Sequence, residues 1–164
     1  MLRVGGWNII ALRTLTSNPM FPHRFPYVDT LKMLQTWGLG CHFFAHGLDT
    51  DIDELENMLE REQSNCPSRP PILALFTEFP SNPLLRSADL PRLRALADKY
   101  NFPIIIDETV GNFVNVSVLP YADIIVSSLS KVFSGGANVT GGRSVLIFRL
   151  NFWSEITLNC RITV

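Results

Sequence analysis

The chain has few cysteines, almost no net charge and no long apolar run, and each of these features argues against a class of protein. No apolar stretch approaches the roughly 20 residues of a membrane-spanning helix. With 14 basic and 15 acidic residues the formal net charge is −1, which gives no reason to expect nucleic-acid or anionic-membrane binding. The three cysteines are widely spaced and form no CxxC pair. They argue against a disulfide framework or a thiolate zinc site and predict a reducing, cytoplasmic setting.

What is present favours one α/β domain. At 164 residues and 46% hydrophobic content, the chain can bury a sizeable core. Continuous apolar runs separated by amphipathic helices are typical of a sheet covered on both faces. The pattern predicts helices at 27–38, 50–62 and 88–101, and strands at 41–47, 72–78, 103–108, 122–128 and 144–150.

Two of the predicted helices have clear ends and apolar faces. Thr50 or Asp51 can cap the helix over 50–62, and Asp89 lies near the start of the helix over 88–101. The expected buried faces are Ile52, Leu55, Met58 and Leu59 in the first, and Leu90, Leu93, Leu96, Ala97 and Tyr100 in the second.

Polar side chains stand where three successive strands end. The first strand leads to Glu78 and Asn82. The second delivers Asp107, Glu108 and Thr109. The third leads to three serines and a lysine: Ser127, Ser128, Ser130 and Lys131. If the strands are parallel neighbours, these groups meet at one edge of the sheet, where ligands bind in open α/β sheets.

Lysine is scarce, so its position after a buried strand is informative. The chain has three lysines, Lys32, Lys99 and Lys131, against eleven arginines. A lysine held partly out of water is a usable nucleophile toward an aldehyde. A nearby carboxylate can pair with a protonated pyridine nitrogen, and a Ser/Gly loop can hold a phosphate. Together these groups suit pyridoxal phosphate, although strand ends often carry such residues for structural reasons alone.

The sequence resembles the Cys/Met-metabolism family of pyridoxal-phosphate enzymes, in particular its cystathionine γ-synthase-like branch. The stretches "TEFPSNPLLRSADLPRLRALADKY", "FPIIIDETVGN" and "LPYADIIVSSLSKVFSGGANVTGG" carry the resemblance, with "FPYVDTLKMLQTWGLG" matching more weakly. The resemblance implies a three-layer α/β/α fold, the partial large domain of the fold-type I transferases. It covers residues 25–148, leaving 1–24 and 149–164 unassigned.

The resemblance also implies roles for six residues. Lys131 matches the lysine that binds the cofactor and moves protons, and Asp107 matches the aspartate at the pyridine nitrogen. Ser128 and Ser130 match the phosphate contacts. Asn82 matches the asparagine near the phenolic oxygen, and Thr109 lies where the family has a residue close to the ring. The implied reaction is γ-replacement on an activated homoserine by cysteine, although elimination needs the same groups.

Both ends depart from the family pattern. No glycine-rich phosphate loop precedes residue 25, the stacking aromatic would fall near His23, and the C-terminal domain with its substrate-binding arginine has no counterpart. The sequence therefore predicts a truncated member of doubtful activity. Its substrates would be small amino acids, and the homo-oligomer that the family implies is in doubt for this chain.

Two alternatives stay open. The chain could be a non-catalytic remnant of the family. More weakly, "IIIDET" could supply the nucleophile of an aspartate phosphatase, a class that wants an acid where Thr109 stands. Two metal-like patterns are discounted: "DTDIDELENMLE" lacks the glycine of a calcium loop, and His42 and His46 are too far apart in a strand to share an ion.

Overall fold

Six strands and three helices make up the part of the chain that the structure, a computed structural model, describes: residues 9–12, 41–44, 48–134, 136 and 138–147. In order, the elements are β1 Ile9–Leu12, β2 Cys41–Phe44, α1 Asp49–Asn65, β3 Ala74–Glu78, α2 Leu90–Tyr100, β4 Ile104–Asp107, β5 Ile124–Ser128, α3 Leu129–Phe133 and β6 Gly142–Leu146. The predictions for 27–38, His23, His46 and 149–164 lie outside the described residues. No helix in the described ranges is long and apolar enough to cross a bilayer.

The strands form one mixed sheet in the order β2-β1-β3-β4-β5-β6. β3, β4 and β5 are parallel neighbours. This arrangement is the one that the sequence prediction required for the polar residues after these strands to meet at one edge of the sheet. β6 runs antiparallel to β5, and β1 runs antiparallel to both β2 and β3. The sequence did not predict β1. The α/β class is confirmed.

The larger core lies between α1, α2 and one face of the sheet. All nine residues predicted for the two helical faces are buried, which confirms both amphipathic patterns. They pack against sheet residues whose side chains share one face because they alternate along each strand: Ala11, Phe44, Leu75, Ile104, Ile106 and Ile125.

The helix ends agree with the sequence in one case and differ in the other. Asp89 lies at the start of α2 as expected, and the structure shows that it caps the helix, its Oδ1 accepting a hydrogen bond from the Arg92 backbone N–H at 3.0 Å. The prediction that Thr50 or Asp51 caps α1 was wrong. That helix begins at Asp49, and its N-cap Leu48 is extended and makes no side-chain cap. Asp51 lies inside the first turn, is 1% exposed, and with Asp49 places negative charge at the helix start.

A smaller apolar cluster occupies the opposite face of the sheet. Its buried members are Ile10, Cys41, Phe43 and Phe76, with Ile105 and Val126 packed against them. Among the described residues, α1 and α2 both cover the first face. Neither of these two helices covers the second face, and this face leads to the polar residues at the ends of β3, β4 and β5.

Candidate active site

The strands β3, β4 and β5 end in Glu78, Asp107 and Ser128. Each of these residues stands two positions after a member of the second-face cluster: Phe76, Ile105 or Val126. Because side chains alternate along a strand, all three terminal side chains belong to the face opposite α1 and α2. Glu78 and Asp107 are also direct partners in the ladder between β3 and β4.

A cavity of about 170 Å³ opens at these strand ends. Five of the six candidate residues line it: Asn82, Asp107, Thr109, Ser128 and Lys131. Of the other described residues, Glu78, Pro80 and Val110 also line it. Pro80 and Val110 could not be predicted from the sequence, because apolar residues that line a cavity do not differ in local pattern from other apolar residues.

Thr109 holds the end of β4 against the end of β5. Its hydroxyl donates a hydrogen bond to Asp107 Oδ1 at 2.6 Å and accepts one from the Ser128 backbone N–H at 2.9 Å. The Thr109 backbone N–H also donates to Asp107 Oδ1, at 2.9 Å. Within the described residues the second carboxylate oxygen, Asp107 Oδ2, accepts no hydrogen bond. The two bonds from Thr109 thus hold one oxygen of the Asp107 carboxylate and leave the other available to a ligand.

The cavity brings two carboxylates and one amine together. Glu78 is 6% exposed, and its Oε2 accepts a long hydrogen bond of 3.5 Å from the Asn82 backbone N–H. Like charges directly opposite on neighbouring strands repel each other, so a cation is favoured between Glu78 and Asp107. Lys131, in the short helix α3, is the cationic residue among the described residues of the lining. It is exposed rather than held partly out of water as the sequence argument supposed.

Ser130 is placed differently from the other five candidates. Its hydroxyl oxygen accepts a hydrogen bond from the Gly141 backbone N–H at 2.8 Å, and the hydroxyl donates to the Gly141 carbonyl at 3.4 Å. Ser130 is not among the residues that line the cavity. Its observed contacts fasten α3 to the residue before β6, and its phosphate contact stays a prediction.

Two acidic residues of the calcium-loop-like pattern form ion pairs with another helix. Asp53 pairs with Arg92 and Glu60 with Lys99, so these acids join α1 to α2. Among the described residues no group of three or more His, Cys, Asp or Glu side chains is placed to hold a metal ion.

The family can be read from comparison with known proteins. Residues 40–155 match the model of the Cys/Met metabolism PLP-dependent enzymes. The chain belongs to this family. Pyridoxal phosphate is therefore its expected cofactor, and the resemblance noted in the sequence is confirmed.

Several curated relatives share this part of the chain. It is 62% identical over 144 residues to the cystathionine gamma-synthase-like enzyme iboG1 of Amanita muscaria, covering 85% of this chain and 24% of the relative. It is 50% identical over 133 residues to the cystathionine gamma-synthase of Neurospora crassa, covering 80% of this chain and 20% of the relative. The alanine racemase ungC of Aspergillus violaceofuscus is 46% identical over 121 residues, covering 73% of this chain and 20% of the relative.

The chain thus spans about a quarter or less of the length of these relatives. No solved structure matches it significantly. The relatives carry different activity names at similar identity, so family membership alone does not select the reaction.

Proposed function

We propose that this chain is part of the cofactor-binding core of a pyridoxal-phosphate enzyme of the cystathionine γ-synthase type, with Lys131 as the residue that binds the cofactor. One observation carries the proposal: the cavity at the ends of three parallel strands has an amine and two carboxylates in its lining. Ligands of open α/β sheets bind at this edge.

The donor set of the cavity suits the chemical groups of the cofactor. Asp107 Oδ2 would accept a hydrogen bond from a protonated ring nitrogen, while Thr109 keeps Oδ1 engaged. Asn82 would lie near the phenolic oxygen. Ser128 would contact the phosphate, and Ser130 would join it by turning its hydroxyl away from the Gly141 carbonyl.

Pyridoxal phosphate, when bound, supplies an aldehyde for the substrate amine and a ring that takes up the electron pair left at Cα. Lys131 Nζ would bind the aldehyde carbon at rest and, once displaced by the substrate amine, remove the proton from the substrate's Cα. Asp107 would hold the proton on the ring nitrogen, since a carboxylate favours the charged form of a neighbouring base. The side chain of Glu78 would add negative charge at the same edge of the sheet.

The finer reaction that we propose is γ-replacement on an activated homoserine by cysteine, in a cytoplasmic setting, with small amino acids as substrates. The cystathionine gamma-synthase of Neurospora crassa supports this choice. The alanine racemase relative supports only the first step, because racemisation also begins with loss of the Cα proton. A non-catalytic remnant of the family is the second candidate, and the exposure of Lys131, which is not expected of a nucleophilic lysine, favours it.

The aspartate phosphatase has less support. Its nucleophile would be Asp107, one oxygen of which is engaged twice by Thr109. Family membership also accounts for the same residues without it.

Covalent attachment of the cofactor tests the proposal directly. Pyridoxal phosphate is added to the protein, the mixture is reduced with borohydride, and peptide mapping locates the pyridoxyl group. We expect it on Lys131, with a change in the absorbance of the cofactor before reduction. Lys131→Arg keeps the positive charge beside the carboxylates but cannot form the bond, so both signals should disappear.

Lys99→Ala is the matched control, because Lys99 is an exposed lysine on α2 that pairs with Glu60 away from the cavity. It should leave labelling of Lys131 unchanged. Equal labelling of both lysines, or a folded protein without any absorbance change, contradicts the cofactor site. Labelled Lys131 without formation of cystathionine from an O-acylhomoserine and cysteine contradicts the finer reaction and favours the remnant.

A further inference from the structure

A buried carboxylate that no proposed catalytic role uses stands between two residues of the site. Glu108 follows Asp107 and precedes Thr109, and it is 3% exposed. Its Oε1 accepts hydrogen bonds from the Ser127 hydroxyl at 3.1 Å and from Arg143 Nη1 at 3.2 Å. A buried charge needs such a partner, since an unpaired one is costly to desolvate.

Arg143 joins four parts of the molecule at this point. It belongs to β6 and pairs in register with Ser127 of β5. Its guanidinium binds Glu108 at the end of β4. The same group lies 5.0 Å from the centre of the Phe113 ring, within reach of a cation–π contact. The pair therefore ties β6, β5 and β4 to the segment 109–117 that follows the candidate site.

The backbone of this segment is closely packed and adopts unusual conformations near the contact. A Cβ on Gly111 would come within 2.3 Å of a Val116 methyl group and 3.0 Å of the Phe79 carbonyl. Asn112 and Phe113 have positive φ angles of 55° and 32°. Asparagine adopts such angles readily, but a bulky residue such as Phe113 does so only when its surroundings hold it there. Arg143 supplies such a contact on Phe113.

We infer that the Glu108–Arg143 pair positions the turn over residues 107–109, and so the orientation of the Asp107 carboxylate, without touching the cofactor. The inference rests on the proposed function for its effect on cofactor binding. Glu108 and Ser127 lie outside the lining of the cavity. The pair acts as a brace behind the site, and Arg143 is a positioning residue.

A second ion pair provides a matched control. Arg94 Nη1 donates to Asp123 Oδ2 at 2.7 Å, and Asp123 is 2% exposed. This pair joins α2 to the residue before β5, at the opposite ends of the parallel strands. Loss of either arginine leaves a buried carboxylate without its guanidinium, but only Arg143 is attached to the turn beside the cavity.

Hydrogen–deuterium exchange of the full chain without cofactor tests the brace by itself. We expect Arg143→Leu to accelerate exchange of the backbone amides in 108–117 roughly tenfold, including the Asn112 N–H that donates to the Glu108 carbonyl. Arg143→Lys, which retains the charge, should show a smaller increase. Arg94→Leu should leave these amides at the rate of the unmodified protein while accelerating exchange in α2.

The affinity for pyridoxal phosphate is the second readout. Arg143→Leu should weaken it about tenfold and Arg94→Leu by less than about twofold, since the two sites share no partners. Glu108→Gln keeps the shape and the Ser127 contact but removes the charge, and it serves if Arg143→Leu does not fold. Unchanged exchange in 108–117 for folded Arg143→Leu, or equal acceleration by Arg94→Leu, overturns the inference.

The two readouts separate this inference from the proposed function. If the unmodified protein binds no pyridoxal phosphate, the cofactor site fails, and the exchange rates alone decide whether the brace exists. If the cofactor binds and the Arg143→Leu affinity is unchanged, the inference is wrong while the site stands.

Discussion

The two faces of the sheet differ in what their side chains do. On the first face, α1 and α2 cover a continuous apolar core that includes Leu75, Ile104 and Ile125. On the second face a smaller apolar cluster leads to Glu78, Asp107 and Ser128 at the strand ends. Since neighbouring residues of a strand point to opposite faces, the same strands provide stability on one side and chemical groups on the other. Away from the Glu108–Arg143 pair, changes on the two faces should therefore affect different measurements.

The largest expected effect is loss of stability on the helix-covered face. Leu93 is fully buried in α2, and Leu93→Ala should lower the free energy of unfolding by about 2–5 kcal/mol, because it leaves a cavity in a close-packed core. Urea denaturation measures the change. At temperatures where the variant stays folded, its affinity for pyridoxal phosphate should match that of the unmodified protein, and a parallel loss of affinity would show that the faces are not independent.

The second prediction concerns the site face. Asp107→Asn should weaken binding of pyridoxal phosphate by about 1.5–3 kcal/mol, the usual contribution of a hydrogen bond to a charged group. The free energy of unfolding should change little, because an asparagine carbonyl oxygen can still accept both hydrogen bonds from Thr109. Titration of cofactor fluorescence gives the affinity and urea denaturation gives the stability. Unchanged affinity would remove Asp107 from the cofactor site.

A smaller effect is expected at the start of α2. Asp89→Ala removes the side-chain acceptor of the Arg92 backbone N–H and should cost about 1 kcal/mol of stability. Asp89→Asn keeps an acceptor and should recover most of the loss. Both variants should bind pyridoxal phosphate with unchanged affinity, and equal unfolding midpoints for the two would argue against the cap.

The smallest effect is expected for the exposed ion pairs between α1 and α2. Arg92 contacts Asp53 and, at 3.3 Å, Glu56, and these carboxylates raise the pKa of its guanidinium, the hydrogen bond to Asp53 most of all. Arg92→Ala should change stability by about 0–1 kcal/mol, since such pairs are largely solvated. The change should shrink further in high salt. A salt-independent loss larger than that of Asp89→Ala would show that the pair is more desolvated than its exposure implies.

Local sequence patterns predicted much of the helical face. The spacing of Leu90, Leu93 and Leu96 identified the buried side of α2, and Asp89 lay near its predicted start. These features are encoded within one or two turns of chain, so they need no knowledge of distant residues. The start of α1 was misplaced because Thr50, Asp51 and Asp53 all suit a first turn, and the chain offers several acceptors within three residues of one another.

Pairing between distant residues could not be predicted in the same way. β1 has four apolar residues in a segment with no other strand signal, and its place between β2 and β3 depends on partners that are all far away along the chain. Ser130 follows the same strand as Ser128, yet its hydroxyl is engaged by Gly141. Glu108 was visible at a strand end, but nothing in the sequence connected it to Arg143.

The sequence by itself determined the α/β class, the amphipathic helices and the family, because periodicity, caps and motifs are properties of short stretches. Only the tertiary structure decided which strand ends meet, which hydroxyls face the cavity and which arginine balances the buried Glu108. Those contacts depend on strand order and register, and each joins residues that the chain alone leaves far apart.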